Sequence, residues 1–346
     1  MSLADRLRRL IEAQGPIPVS DYMGLANAHY YATRDPLGAA GDFVTAPEIS
    51  QMFGELVGLA LADVWVRAGR PEGTLYLELG PGRGTLAADA LRAMRAAGLE
   101  PAVHLVEASP VLRRAQADRL PHATWHDDLS TLPGDRPILA VANEFFDALP
   151  VRQLIATAAG WRERLVTVDG DRFVPAAGPP VPAAAIPEHV RAAPPGTVLE
   201  TSPASLAYAR RLADRLTMQG GAALIVDYGH DRLRAGETLQ AVRKHEYADP
   251  WIEPGESDLT AHVDFESLAR ALAEPGARVH GPVGQGDWLA RLGIDARAEA
   301  LARSAPDRAD ELRMARNRLA SPDQMGQLFR VMGLSAPAWP APGGFA

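Results

Sequence analysis

The chain has no cysteine among its 346 residues. That excludes disulfide scaffolds, thiolate nucleophiles, cysteine-based zinc sites and iron–sulfur clusters. No hydrophobic run approaches the roughly 18 apolar residues of a membrane-spanning helix, and residues 1–12 hold no apolar stretch of signal-peptide length. Basic charge is short as well: 35 Lys+Arg stand against 43 Asp+Glu, a net charge of −8. Binding to nucleic-acid phosphates wants a basic face, so this balance counts against it. The histidines lack metal-ligand spacing, which predicts no metal site. Asp5 and Glu12 count against a mitochondrial presequence, and the expectation is a cytoplasmic protein bound to no membrane. What is present is ordinary for a globular protein: 47% hydrophobic and 23% charged residues, at a length suiting one large domain or two smaller ones.

Leu3, Leu7, Leu10 and Ile11 fall at helical spacing, and Gly15-Pro16 ends that helix. A second helix is predicted over 19–28, and residues 35–47 read as an ordered loop. Thr45-Ala46-Pro47-Glu48 has the form of a capping box opening a helix that carries Phe53, Leu56, Val57, Leu61 and Trp65 on one face. Strands at 74–79, 102–106, 123–125 and 138–142 then alternate with helices at 85–97 and 110–120, which implies a mainly parallel sheet with helices on both faces. Residues 151–174 read as antiparallel strands turning at Asp169-Gly170, and the Pro/Ala/Gly-rich 175–196 as a surface linker. The pattern resumes with a helix from Ser202-Pro203 to 218 and a strand at 222–226. A helix over 264–273 and strands at 278–283 and 328–332 follow. The expected organisation is a helical cap and motif loop (1–70), the first half of an α/β core (71–150), an inserted antiparallel segment (151–200), the second half (201–334) and an irregular tail (335–346).

Between a strand and a helix lies Glu78-Leu79-Gly80-Pro81-Gly82-Arg83-Gly84. Its alternate glycines allow a sharp turn and close approach of a ligand. The dinucleotide fingerprint needs a further glycine where Thr85 stands, so a pyrophosphate ligand fits poorly. Glu78 beside the loop suits a cationic ligand, and S-adenosylmethionine carries an ammonium and a sulfonium. Glu107, ending the next strand, suits two ribose hydroxyls. Asp127 or Asp128 is placed to reach the adenine amino group, or to cap a turn. The fourth strand ends in Asn143-Glu144-Phe145-Phe146-Asp147, polar groups expensive to bury unless they bind something. Asp227-Tyr228 ends the fifth and is placed to line an acceptor pocket. His262 divides between catalysis and structure, and His29-Tyr30-Tyr31 between a lid and ordinary aromatics.

Taken together these motifs resemble the MidA-type methyltransferases, the family that includes the mitochondrial protein arginine methyltransferase needed to assemble respiratory complex I. The resemblance rests on Gly41-Asp42-Phe43-Val44-Thr45-Ala46-Pro47-Glu48, Glu78 to Gly84, Glu107-Ala108-Ser109-Pro110, Asn143 to Pro150, Asp227-Tyr228-Gly229 and Asp258-Leu259-Thr260-Ala261-His262. It implies a class I, Rossmann-like methyltransferase fold that uses S-adenosylmethionine, and ω-nitrogen methylation of arginine in a protein substrate, such as a respiratory-complex subunit. The expected cofactor residues are Glu78, Gly80, Gly82, Gly84, Glu107, Asp127, Asp128 and Asn143. The expected catalytic residues are Glu144, Asp147, Asn143 and His262, with Asp227 and Tyr228 toward the substrate. The segment 175–196 has no counterpart in the family pattern. A small-molecule methyltransferase and a cofactor-binding assembly factor are the alternatives. The inserted strands are available to dock a partner or a second copy in a homodimer.

Overall fold

The computed structural model describes residues 1–34, 38, 41–42 and 44–345. The other positions of the predicted 35–47 loop, Phe43 of its motif included, lie outside the described residues. The helices are α1 (Leu3–Gln14), α2 (Val19–Thr33), α3 (Ala46–Ile49), α4 (Gln51–Arg67), α5 (Thr85–Ala96), α6 (Pro110–Arg119), α7 (Pro203–Gln219), α8 (Phe265–Ala273), α9 (Gln285–Arg291), α10 (Ile294–Ser304) and α11 (Ala309–Ala320). The first nine strands are β1 (Ile17–Pro18), β2 (Leu75–Leu79), β3 (Ala102–Val106), β4 (Thr124–His126), β5 (Ile138–Asn143), β6 (Arg152–Thr157), β7 (Gly160–Asp169), β8 (Arg172–Pro180) and β9 (Val198–Thr201). The rest are β10 (Gly221–His230), β11 (Gln240–Arg243), β12 (Glu246–Ala248), β13 (Asp258–Thr260), β14 (Val263–Asp264), β15 (Arg278–Gly284) and β16 (Phe329–Ser335).

The central sheet runs β4-β3-β2-β5-β10-β16-β15. The strands from β4 to β10 are parallel, and β16 lies antiparallel between β10 and β15. Its strands are apolar on both faces, as a doubly covered sheet requires. Tyr76, Leu139, Val141, Leu224 and Val331 pack toward α4 and α5, with Phe53, Leu56, Leu86 and Met94. Leu77, Leu79, Ala140, Ile225 and Leu334 pack the other way, against Leu212 and Leu216 of α7 and Leu268 and Leu272 of α8. This is the α/β architecture read from the sequence.

A second, antiparallel sheet holds β1-β7-β6-β9, with β8 on β7. Helices α1 and α2 cover it through Leu7, Ile11, Tyr22 and Met23 against Val166 and Phe173. The chain start therefore packs on the inserted strands, whereas α4 packs on the central sheet.

Three local expectations change. The 175–196 linker is strand at its start, because residues 175–180 complete β8 against β7. The predicted capping box does not form: Thr45 makes no side-chain cap, α3 is four residues long, and Ser50 caps α4 by accepting from Met52 N. The irregular tail begins after Ser335, which ends β16, and is fixed by packing, with Trp339 buried in the core and Gly343 O accepting from Trp288 Nε1.

Candidate active site

The carboxyl ends of β2, β3, β5 and β10 reach one edge of the sheet, where α/β folds bind ligands. A cavity of about 840 Å³ opens there, roofed by α2 and by the small sheet β12-β11-β13. Gly80 and Gly82 line it in left-handed conformations, φ 62° and 55°. A Cβ on Gly80 would stand 3.0 Å from the Phe145 ring. Gly84 is different. It begins α5 at φ 76° without lining the cavity, and a Cβ there would meet Leu120 at 3.2 Å, so its part is in loop packing.

Glu78 is 2% exposed and lies on the cavity wall, with Tyr76 Oη donating to it at 2.5 Å. Burial pushes its carboxyl up to about 8, so it favours a cationic or donor ligand. Glu107 accepts from Ser109 N at 2.7 Å and from Gln116 Nε2 at 3.3 Å. A carboxylate has room for about four such bonds, which leaves capacity for a diol. Gln116 also donates to Gly82 O at 2.6 Å and so ties the glycine loop to Glu107. Asn143 Oδ1 is buried with no partner among the described residues, an acceptor still open for a donor. These features fit S-adenosylmethionine. Thr85, the residue that breaks the dinucleotide pattern, donates to Glu48 Oε1 at 2.5 Å and joins α5 to α3.

Beyond Asn143 the wall turns acidic. Glu144 has a left-handed backbone, φ 49°, that an L side chain adopts only under constraint. Its N–H donates to Val226 O at 2.8 Å, and its Oε1 accepts from Ala46 N and Asn143 Nδ2, each at 3.2 Å. Asp147 is 5% exposed; Tyr228 donates to it, and its Oδ1 is buried without a partner among the described residues. Asp258 is buried and receives Tyr31 Oη at 2.7 Å. Burial first, then the neighbouring acids, raise Glu144 to about 8 and Asp258 to about 7; burial raises Asp147 to about 6. Among the described residues lining the cavity, seven are carboxylates and Arg83 is the one arginine. This electrostatic balance favours a cation.

Three sequence-derived positions, Asp227, Asp128 and Gly84, need correction. Asp227 is fully buried and does not line the cavity. It accepts from the backbone N–H groups of Phe146, Asp147 and Tyr228, so it shapes the turn that carries the acids instead of meeting a substrate. Asp128 lies off the cavity and caps a short helical turn by accepting from Ser130 N at 2.6 Å. Of the two aspartates it is Asp127 that lies on the cavity, its side chain 89% exposed and paired with Arg113 at 2.6 Å. Gly84, which serves loop packing, is the third. His262 does line the cavity, its ring edge-on to Tyr228 at 5.4 Å. Burial lowers its pKa, which keeps the ring neutral.

Asp258, Tyr31 and Asn27 are additions. Asn27 Nδ2 donates to Ala148 O at 3.0 Å and Leu259 O at 2.7 Å, and its Oδ1 accepts from Leu259 N. It thereby locks α2 to the acidic turn and to β13. Asp258 and Tyr31 both stand in segments named as motifs. What the linear pattern lacked was their pairing across more than 200 residues.

Residues 56–283 match a family of S-adenosyl-L-methionine-dependent methyltransferases. The chain is 40% identical over 377 residues to the mitochondrial protein arginine methyltransferase NDUFAF7 homolog of Drosophila melanogaster, covering 96% of this chain and 84% of that one. It is 35% identical over 364 residues to the mitochondrial protein arginine methyltransferase NDUFAF7 of Homo sapiens, covering 94% and 81%. A Burkholderia thailandensis protein, solved with S-adenosyl-homocysteine bound, superposes with a TM-score of 0.88 at 31% identity, over 99% of this chain and 94% of that one. On fold, site and relatives alike, the chain belongs to the MidA-type family of S-adenosylmethionine-dependent methyltransferases.

Proposed function

We propose that this enzyme methylates an ω-nitrogen of arginine in a protein chain. The observation that carries the reading is the group of carboxylates Glu144, Asp147 and Asp258 on the cavity wall past Asn143, the two aspartates buried and Glu144 partly so. Raised carboxyl pKa values mark a site where negative charge is costly until a cation arrives. A guanidinium is that cation, and its planar fork matches carboxylate pairs. The relatives named as protein arginine methyltransferases support the same acceptor.

When bound, S-adenosylmethionine supplies an electrophilic methyl group on a sulfonium that leaves as a neutral thioether. The protein's task is orientation and charge placement. A guanidinium has a pKa above about 12 and a delocalised lone pair, so the attacking nitrogen is a poor nucleophile. Glu144 and the unpartnered Asp147 Oδ1 accept its N–H bonds and hold its positive charge away from that nitrogen. Tyr228 steadies Asp147, and Asp227 fixes the turn beneath. As the nitrogen gains its new bond to carbon it must release a proton. Asp258, steadied by Tyr31 and raised to about 7, is matched to receive it near neutral pH. His262 stands on the same wall as a neutral ring.

Incubation with S-adenosylmethionine carrying a deuterated methyl group, followed by mass spectrometry of host proteins, tests the reading. Label on arginine is expected. Label on a small metabolite with none on arginine would overturn it. The family resemblance puts a respiratory-complex subunit first among acceptors to try.

A further inference from the structure

We propose that the outer edge of β12 is the docking strand for the acceptor chain. An extended peptide segment pairs with it as a fourth strand of the small sheet and delivers its arginine into the cavity. The inference rests on the arginine reading above.

The hairpin of β11 and β12 is closed by Lys244 and His245, both in the left-handed region, φ 51° and 65°. That is the pattern of a two-residue type I′ turn. In such a hairpin the residues flanking the loop, Arg243 and Glu246, exchange both hydrogen bonds, so the next pair, Val242 and Tyr247, exchanges none. Val242 instead faces β13, where it is opposite Asp258. Tyr247 accordingly turns its N–H and C=O away from β11, toward the free edge of the sheet. Among the described residues no strand pairs with that edge. An exposed edge is a template for another chain unless the protein blunts it, and all three residues of β12 are exposed.

Two features identify the occupant. Tyr247 is 81% exposed and also lines the cavity, so the edge and the acidic chamber are continuous. The chamber's carboxylates select a cationic side chain. A peptide paired with β12 sends alternate side chains to opposite faces of the sheet, so one in two of its positions points an arginine to the face on which Tyr247 and Val242 line the acidic cavity. The exposed ring of Tyr247 offers apolar cover for the arginine stem as it enters.

The test uses the full-length enzyme with S-adenosylhomocysteine bound and an oriented nonapeptide library with a fixed central arginine. Binding of the best fluorescein-labelled peptide is read by fluorescence polarisation, and methyl transfer to it by mass spectrometry. Backbone N-methylation of the peptide at positions of one parity from the arginine is expected to weaken binding about tenfold or more, by removing edge hydrogen bonds, while the other parity changes it less than about twofold. Tyr247→Pro, which removes the edge N–H, should reduce that contrast, and Tyr247→Phe should keep it. Equal effects at both parities, an unchanged contrast in Tyr247→Pro, or a library without a binder would overturn the docking edge. Binding with the contrast but no methylated arginine would leave the edge standing and remove the arginine reading. Methylation without the contrast would do the reverse.

Discussion

Glu144 holds a backbone conformation costing an L residue about 1–2 kcal/mol, and in return its carboxylate is aimed at the cavity beside Asn143. Glu144→Gln keeps the shape and removes the charge. Methyl transfer to an arginine acceptor should then fall by about 10²–10³-fold, as for loss of one preorganised charge partner. Isothermal titration with S-adenosylhomocysteine should change little, because Glu78, Glu107 and the glycine loop are untouched. A variant that loses both together would mean that Glu144 serves the cofactor. The acidity of the site also sets a pH profile. Asp147, Asp258 and Glu144 lie at about 6, 7 and 8 in the free enzyme, so at pH 6 the site is largely protonated and an incoming guanidinium must displace protons. The ratio kcat/KM for the acceptor should therefore rise between pH 6 and 8, and initial-rate measurements at subsaturating acceptor check it. A flat profile would show that these carboxylates do not titrate in the step that binds the acceptor.

At the scale of elements, the sequence was most readable where periodicity and caps agree. Ser109 and Ser202 cap α6 and α7, each ahead of a proline, and β2, β3 and β5 lie within a residue of their predicted spans. It was least readable where tertiary pairing decides. Residues 175–180 look like a linker by composition and become strand because β7 offers an edge. The hairpin β11–β12 and helices α9–α11 carried no signal strong enough to be assigned. Asp227 looked like a substrate residue because it ends a central strand, yet it turns inward to the backbone of the acidic turn. The close crossing of α4 on α5 was equally invisible in linear order. There a Cβ on Gly58 would stand 2.4 Å from Ala90 O, whereas one on Gly134 would meet open space. Gly58→Ala should destabilise the fold by about 1–3 kcal/mol, and Gly134→Ala should leave thermal unfolding nearly unchanged. Equal melting temperatures for the two variants would contradict this packing.

For the whole molecule, the buried acids make stability depend on pH in an unusual direction. Glu78 and Glu144 at about 8, Asp258 at about 7 and Asp147 at about 6 all lie above their ordinary values, so the folded state binds protons more tightly than the unfolded chain. Their contribution to stability is fully present below the ordinary carboxylate range and is lost as pH rises through 6 to 8. The ligand-free enzyme should melt lower at pH 8.5 than at pH 6, with a shallower slope in Glu144→Gln, as scanning fluorimetry would register. A melting temperature that climbs with pH over this window would place these acids in an ionised, compensated state. The fold and the cofactor were legible from the spacing of glycines and strand-end acids. The chamber was not, since Tyr31, Asn27 and Asp258 come from the cap and the small sheet and meet the acidic turn only on folding.

The most direct test of the account is tandem mass spectrometry of an arginine acceptor peptide after incubation with deuterated-methyl S-adenosylmethionine, for the wild-type enzyme and Glu144→Gln in parallel. The account predicts label on an ω-nitrogen of arginine with the wild type, and a loss of about 10²-fold or more in the variant. Label on another residue type, or equal labelling by the two enzymes, would contradict it.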